Sequence, residues 1–134
     1  MVKIKDYCYK CDRQINIHIY QTIINRNLRW STSYICPFCN SAIESDDIGF
    51  PAEDIIKLIL AEEGEYQLLI KQPELNKVKA VKVLRDKFKI SIAEASKIFN
   101  TFPQPIFHGT KIEMIYLRKL LQFEGIEAEI IKKL

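Results

Sequence analysis

The four cysteines of the chain stand in two pairs, Cys8 with Cys11 and Cys36 with Cys39, and 24 residues separate the pairs. A C-x2-C pair delivers two sulfur ligands from one tight turn, and two such pairs complete the tetrahedral shell that Zn²⁺ prefers. The sequence therefore predicts one Zn²⁺ ion bound by all four cysteines. Because a four-sulfur shell leaves no position for water or a substrate, the predicted role of the ion is structural.

The alternative to a zinc site is a pair of disulfides, or four free thiols in a core. The segment Met1 to Tyr7 lacks the apolar stretch of a secretory signal peptide. No apolar run reaches the roughly 20 residues that span a bilayer. We therefore expect a cytoplasmic protein without membrane association, in which thiols stay reduced. His18 lies in an alternating run and His108 precedes a glycine, so neither is expected to be a ligand.

Charge divides the chain into two parts. Residues 1–64 carry 7 Lys/Arg and 9 Asp/Glu, whereas residues 65–134 carry 13 and 8. The chain has 134 residues and is 48% hydrophobic and 28% charged, which is typical of a folded protein rather than a disordered one. The uneven charge predicts two modules with different surfaces.

The first module, residues 1–47, is predicted to be a small β zinc ribbon. Residues 14–20 alternate polar and apolar side chains, and residues 29–35 are rich in β-branched and aromatic ones, so both are predicted strands. Asn25 to Asn27 is the predicted turn, and residues 45–49 are expected to break the strand pattern. Residues 48–64 are predicted to form a helix that ends at Gly64, either as a linker or packed on one of the modules. Its apolar stripe of Ile55, Ile56, Ile59 and Leu60 indicates packing.

The second module, residues 65–134, has the predicted order β-α-α-β-α-β, which makes the whole chain α+β. A strand at residues 66–71 precedes a helix that starts at Asn76, with Val78, Val81, Leu84 and Phe88 directed inward. Ser91 and Glu94 resemble a capping box for a second helix, which Pro103 and Pro105 follow. Thr110 is the predicted cap of a third helix, followed by a strand at 126–132. The expected apolar stripe of this third helix is Ile112, Ile115, Tyr116, Leu120 and Phe123.

Residues 65–131 resemble the C-terminal domain of the bacterial ribosomal stalk protein, which recruits translational GTPases. The resemblance rests on Asn76-Lys77-Val78, Glu94-Ala95, the His108-Gly109 turn, residues 117–124 and residues 125–129. A zinc ribbon replaces the N-terminal dimerisation segment of that family, and Lys89-Ile90-Ser91 replaces its glycine-rich bend. The resemblance implies a docking surface for translation factors on the first helix of the module, at Lys77, Val78, Val81, Lys82 and Arg85.

A second interpretation of that helix is that its cations only solvate it, while Val78 and Val81 belong to the core. The sequence contains no phosphate-binding loop, metalloprotease motif or nucleophile elbow, so we expect neither an enzyme nor a small-molecule substrate. The leading hypothesis is a protein that binds translation factors or the ribosome.

Two other functions stay open at the level of sequence. The first is an immunity protein that neutralises a bacterial toxin through an acidic patch. The members of that patch would be Asp46, Asp47, Glu53, Asp54, Glu62 and Glu63. The second is a zinc ribbon that binds nucleic acid, because single-strand binders combine cations with aromatic side chains. Its candidate residues are Lys10, Arg13, Arg26, Arg29, Tyr9, Tyr34, Phe38 and Trp30.

Overall fold

A computed structural model describes residues 2–71, 73–88, 91, 93–94, 97 and 107–133, without the side chains of 73–77, 84, 87 and 88. The fold is α+β with antiparallel sheets, and the chain divides into two compact units, Met1–Gly64 and Glu65–Leu134. None of the helices in the described ranges combines the length and the apolar character needed to cross a bilayer.

The first unit is a four-stranded antiparallel meander followed by one helix. Its strands lie in the order β1-β2-β3-β4. Asn25 and Arg26 both have positive φ, at 50° and 65°, as in the type I′ turns that join two strands through two residues. The predicted turn is therefore confirmed. The elements are β1 (Val2–Tyr7), β2 (Gln14–Ile24), β3 (Asn27–Ile35), β4 (Ala42–Ile48) and α1 (Glu53–Glu63).

The outer two strands of this sheet were not predicted. The expectation that residues 45–49 break the strand pattern is wrong, because β4 continues to Ile48 and pairs with β3, Thr32 opposite Ser45. The composition of β4 is acidic because it is an exposed edge strand, where charge discourages pairing with another chain. For β1 a signal existed, since Val2 and Ile4 alternate with lysines.

Two apolar clusters hold the first unit together. One contains Cys8, Ile15, Tyr34 and Cys36. The other joins the sheet to α1, because Ile59 is buried with Val2 and Ile19 and is flanked by Ile55. The helix, expected either as a linker or packed on a module, therefore packs on the first sheet through the apolar stripe predicted for it. Gly64, with φ of 87°, caps its C-terminus.

The second unit has a three-stranded antiparallel sheet in the order β6-β5-β7. Of the predicted second helix, the structure describes the start: the Ser91 hydroxyl accepts a hydrogen bond from the Glu94 amide at 3.1 Å. Pro103 and Pro105 lie outside the described residues. The elements are β5 (Tyr66–Ile70), α2 (Pro73–Phe88), β6 (Phe107–Gly109), α3 (Lys111–Phe123) and β7 (Ala128–Lys132).

The inward face of α2 differs from the prediction. Val78 is 83% exposed, whereas Ala80 and Val83 are buried. Val81 is half-buried, and the side chains of Leu84 and Phe88 lie outside the described residues. The assignment of Val78 to the core is therefore wrong, and its isopropyl group faces solvent.

The predicted stripe of α3 is also rotated. Phe123 is 60% exposed, while Met114, Leu117 and Leu121 are buried. The reason is Glu113, which is 2% exposed because it closes a capping box with Thr110, as described below. A polar residue thus occupies the inner face, and the buried apolar residues begin at Met114, two positions after Ile112. Of the predicted stripe, Tyr116 is buried as expected.

Candidate metal centre

The two cysteine pairs lie in two loops with the same backbone structure. The amide of Cys8 donates to the Arg13 carbonyl and that of Asp12 to the Cys8 carbonyl, both at 2.9 Å. The second loop repeats this pattern at the same offsets: Cys36 to Ser41 at 2.8 Å and Asn40 to Cys36 at 3.0 Å. Asp12 and Asn40 have φ of 59° and 61°, a conformation that Asp and Asn tolerate better than most residues.

Sheet topology brings the two loops together. The first loop joins β1 to β2 and the second joins β3 to β4. Because β2 and β3 run antiparallel, the two hairpin loops lie at the same end of the sheet. The Tyr34 hydroxyl, on β3, ties that strand to the first loop by accepting a hydrogen bond from the Tyr9 amide at 3.3 Å.

The four sulfurs converge on one point. All lie within 4.8 Å of one another, and Cys8–Cys39 and Cys11–Cys36 are both separated by 3.6 Å. Zn–S bonds of about 2.3 Å in a tetrahedron require sulfurs about 3.8 Å apart. All four cysteines are free, so the disulfide alternative is not found here. The donor set could hold a metal ion, and four sulfurs are the ligands of a tetrahedral, closed shell.

A serine after the second loop supports two of the sulfurs. Ser41 Oγ lies 3.0 Å from Cys39 Sγ and 3.3 Å from Cys8 Sγ. The hydrogen bond from this hydroxyl is the largest of the effects that lower the pKa of Cys8 to about 5, and it also lowers the pKa of Cys39. No sequence pattern pointed to Ser41, because its role depends on a contact with the other loop.

The opposite pair of sulfurs has no such hydroxyl in the described contacts. A backbone hydrogen bond from Arg13 lowers the pKa of Cys11, but burial and the neighbouring sulfurs outweigh it and raise the pKa to about 11. Metal binding requires thiolates, so the ion would have to displace a proton from Cys11 at neutral pH. His18 and His108 lie in β2 and β6, outside the group of converging donors.

The residues of the expected docking surface share one side of α2. Val78, Lys82 and Arg85 are exposed and follow the i, i+4, i+7 spacing of a single helix face. Val81 is half-buried beside them, and the side chain of Lys77 lies outside the described residues. The structure therefore places an exposed apolar side chain next to two long cations.

The residues of the other two hypotheses are more scattered. The six acidic side chains are all exposed, on β4 and at both ends of α1, and the toxin-neutralising role stays a prediction. Of the nucleic-acid candidates, Tyr34 is 7% exposed, so its ring is not available for stacking. Tyr9, Lys10, Arg13 and Phe38 are exposed on the two loops.

Comparison with known proteins finds a partial relationship. A 70-residue stretch is 31% identical to the large ribosomal subunit protein bL12 of Aquifex aeolicus (strain VF5), and it has the same identity to bL12 of Aquifex pyrophilus. The match covers 52% of this chain and 55% of each relative, so it spans about half the length of the relatives. No family model and no solved structure matches the chain.

Proposed function

We propose that the chain is a non-enzymatic cytoplasmic adaptor, in which a structural Zn²⁺ ion holds the first unit together and α2 of the second unit docks on a translation factor or the ribosome. The four converging sulfurs support the metal, and their number and type favour zinc. The partial identity to bL12, a protein of the large ribosomal subunit, supports the class of partner.

The observation that carries this proposal is the exposure of Val78. Val78 is 83% exposed, and because single exposed apolar residues are common on protein surfaces, its significance depends on its neighbours. Lys82 and Arg85 flank it on the same helix face. An apolar centre with long cations around it is the arrangement of a small protein-docking surface, because the apolar group drives burial and the cations orient an acidic partner.

The alternative that the cations only solvate α2 makes a different prediction. If these residues serve solubility alone, then Lys82 and Lys119, which are both exposed on helices of the second unit, are equivalent. If α2 is the docking surface, only Lys82 matters. The two lysines therefore form a matched pair for charge reversal.

The test is affinity capture from the native cytoplasm with the zinc-loaded chain, followed by mass spectrometry. Wild type is compared with Val78→Asp, Lys82→Glu and the matched control Lys119→Glu. We expect translation factors or ribosomal proteins to be captured by wild type and by Lys119→Glu. We expect Val78→Asp and Lys82→Glu to lose most of that signal, because each removes an anchor or reverses a contact.

Capture of one unrelated protein that survives both α2 substitutions would contradict the proposal and favour the toxin-neutralising alternative. Equal loss with Lys119→Glu would mean that general positive charge, and not α2, recruits the partner. Metal content and amide NMR spectra of each variant confirm that the fold is intact.

A further inference from the structure

The first sheet presents two different faces along β1 and β2. Three cross-strand pairs point to the side that α1 and the cysteine loops cover. These are Val2 with Ile19, Ile4 with Ile17, and Asp6 with Ile15. The alternate pairs point the other way. These are Lys3 with His18, Lys5 with Asn16, and Tyr7 with Gln14. We call these six residues the open β1–β2 face.

The side chains of this face are accessible and carry no acid. Lys3, Lys5 and Tyr7 are exposed, and Tyr7 has 60% of its surface in contact with solvent. Asp6, the acidic residue of β1, lies on the opposite side because it pairs with Ile15. Glu44 of β4 lies on the same side of the sheet, because it pairs with Ser33, which in turn pairs with His18. The two lysines therefore stand at one edge of this side of the sheet and Glu44 at the other, and the β1–β2 part carries positive charge only.

The face continues into a depression next to the metal centre. Its volume is about 900 Å³, and its lining includes Lys5, Gln14, Asn16, His18, Ile35 and Phe38. Pockets for small organic groups usually measure about 300–1,000 Å³, so the depression is large enough for a nucleotide. It combines one cation, the carboxylate of Glu44, two amides and an imidazole with apolar side chains.

An aromatic ring at the border of the depression is already paired with a cation. Phe38, in the second cysteine loop, is 55% exposed, and the Arg13 guanidinium lies 4.8 Å from the centre of its ring. An aromatic ring and a guanidinium plane are the two side-chain groups on which unpaired bases stack. Because both side chains belong to the cysteine loops, the position of this pair depends on the metal centre.

We propose that the open β1–β2 face and the adjoining depression bind single-stranded nucleic acid. Lys3 and Lys5 contact phosphates, and a base enters the depression against Phe38. Gln14 and Asn16 have the amide groups that can hydrogen-bond the edge of an unpaired base. An acidic peptide would use the lysines alone, whereas the amides and the aromatic ring fit a planar ligand with its own donors and acceptors.

This function belongs to the first unit and does not depend on the docking role of α2. The test is fluorescence anisotropy of the zinc-loaded chain with labelled 12-nucleotide oligo(U) and oligo(dT), from 50 to 200 mM salt. We expect the logarithm of affinity to fall linearly with the logarithm of salt concentration, with a slope of about 0.7 per phosphate contact. The two oligonucleotides distinguish RNA from DNA as the ligand.

Two variants examine the face, and the single substitutions Lys5→Gln and Lys57→Gln compare it with another exposed lysine of the unit. Lys3→Gln/Lys5→Gln removes two phosphate contacts, so we expect a loss of about 10-fold in affinity and a salt slope that is smaller by about 1.4. Phe38→Leu keeps an apolar side chain but removes the stacking ring, and we expect a loss of about 5-fold or more. Lys57→Gln is the matched control for Lys5→Gln, because Lys57 is an exposed lysine of the same unit on α1.

Absence of binding to both oligonucleotides at 50 mM salt would overturn the proposal. Equal losses for Lys5→Gln and Lys57→Gln would overturn it too, since they would show attraction by overall charge. So would binding that is lost in Lys82→Glu/Arg85→Glu but kept in Lys3→Gln/Lys5→Gln, because the ligand would then lie on α2. Finally, tighter binding of a labelled polyglutamate peptide than of either oligonucleotide would assign the face to acidic protein segments.

Discussion

The two units of this protein build antiparallel sheets of different size, one of four strands and one of three, and stabilise them with different chemistry. In the first unit, the core around one end of the sheet consists of buried sulfurs with Ile15 and Tyr34. In the second unit, the core consists of apolar side chains from helix and strand. Leu68, Met114 and Leu121 are each at most 2% exposed. A meander with a single helix covers little of its sheet, so a metal ion at the four cysteines would supply stability that hydrocarbon supplies elsewhere.

The units also differ in how the backbone polar groups find hydrogen-bond partners, at the cysteine loops of the first unit and at the start of α3 in the second. The first uses two loops whose backbone amides and carbonyls pair internally around the cysteines. The second uses a capping box at the start of α3, where the Thr110 amide donates to the Glu113 carboxylate at 3.0 Å and the Glu113 amide donates to the Thr110 hydroxyl at 3.2 Å. A Cβ atom at Gly109 would lie 2.7 Å from Glu113 Oε1, so a larger residue there would have to displace the capping carboxylate. The two loops form a site that could hold a metal ion, whereas the cap is complete by itself.

The largest expected effect comes from removing the metal. Chelation should unfold the first unit, because structural zinc contributes on the order of 10 kcal/mol or more in small modules. The second unit should remain folded, since its described core contains no metal ligand. Two-dimensional amide NMR of the full chain measures both units at once, and addition of Zn²⁺ should restore the lost signals. Unchanged signals from residues 2–64 in protein shown to be free of metal would contradict this division.

A smaller effect should follow from a cavity in the second core. Leu68 is fully buried on β5, and Leu68→Ala should lower the free energy of unfolding of the second unit by about 2–5 kcal/mol. The half-buried neighbour Leu69 offers the matched control, and Leu69→Ala should cost clearly less. Zinc content should stay the same in both variants. Native-state hydrogen exchange reports the two units separately, and a loss of protection in the first unit would show that the units are energetically coupled.

The smallest expected effect concerns the cap of α3. Thr110→Ala removes the hydroxyl that accepts a hydrogen bond from the Glu113 amide, and it should destabilise the second unit by about 1 kcal/mol. Thr110→Ser keeps that oxygen and should restore most of the loss. Hydrogen exchange in the first turn of α3 is the measurement. Equal protection in wild type and Thr110→Ala would mean that burial alone, without the capping box, fixes the start of the helix.

Sequence reasoning succeeded where the signal is local. The turn at Asn25 and the cap at Thr110 depend on residues three or fewer positions apart, and both were found as predicted. It failed for β4, whose acidic sequence carries no strand signal and whose hydrogen-bond partners come from β3. It also failed for Val78, because apolar character predicts burial, but only the packing of α2 determines which side faces the core.

The sequence by itself determined that four cysteines are available in two identical loops, since the C-x2-C spacing places two sulfurs on one turn whatever surrounds it. It also determined the cap of α3, because a capping box needs only residues within one helical turn. The tertiary structure decided that the two loops meet, that Ser41 reaches sulfurs of both loops, and that the lysines of β1 stand on an open face. Strand order and register set these contacts, and neither can be read from neighbouring residues along the chain.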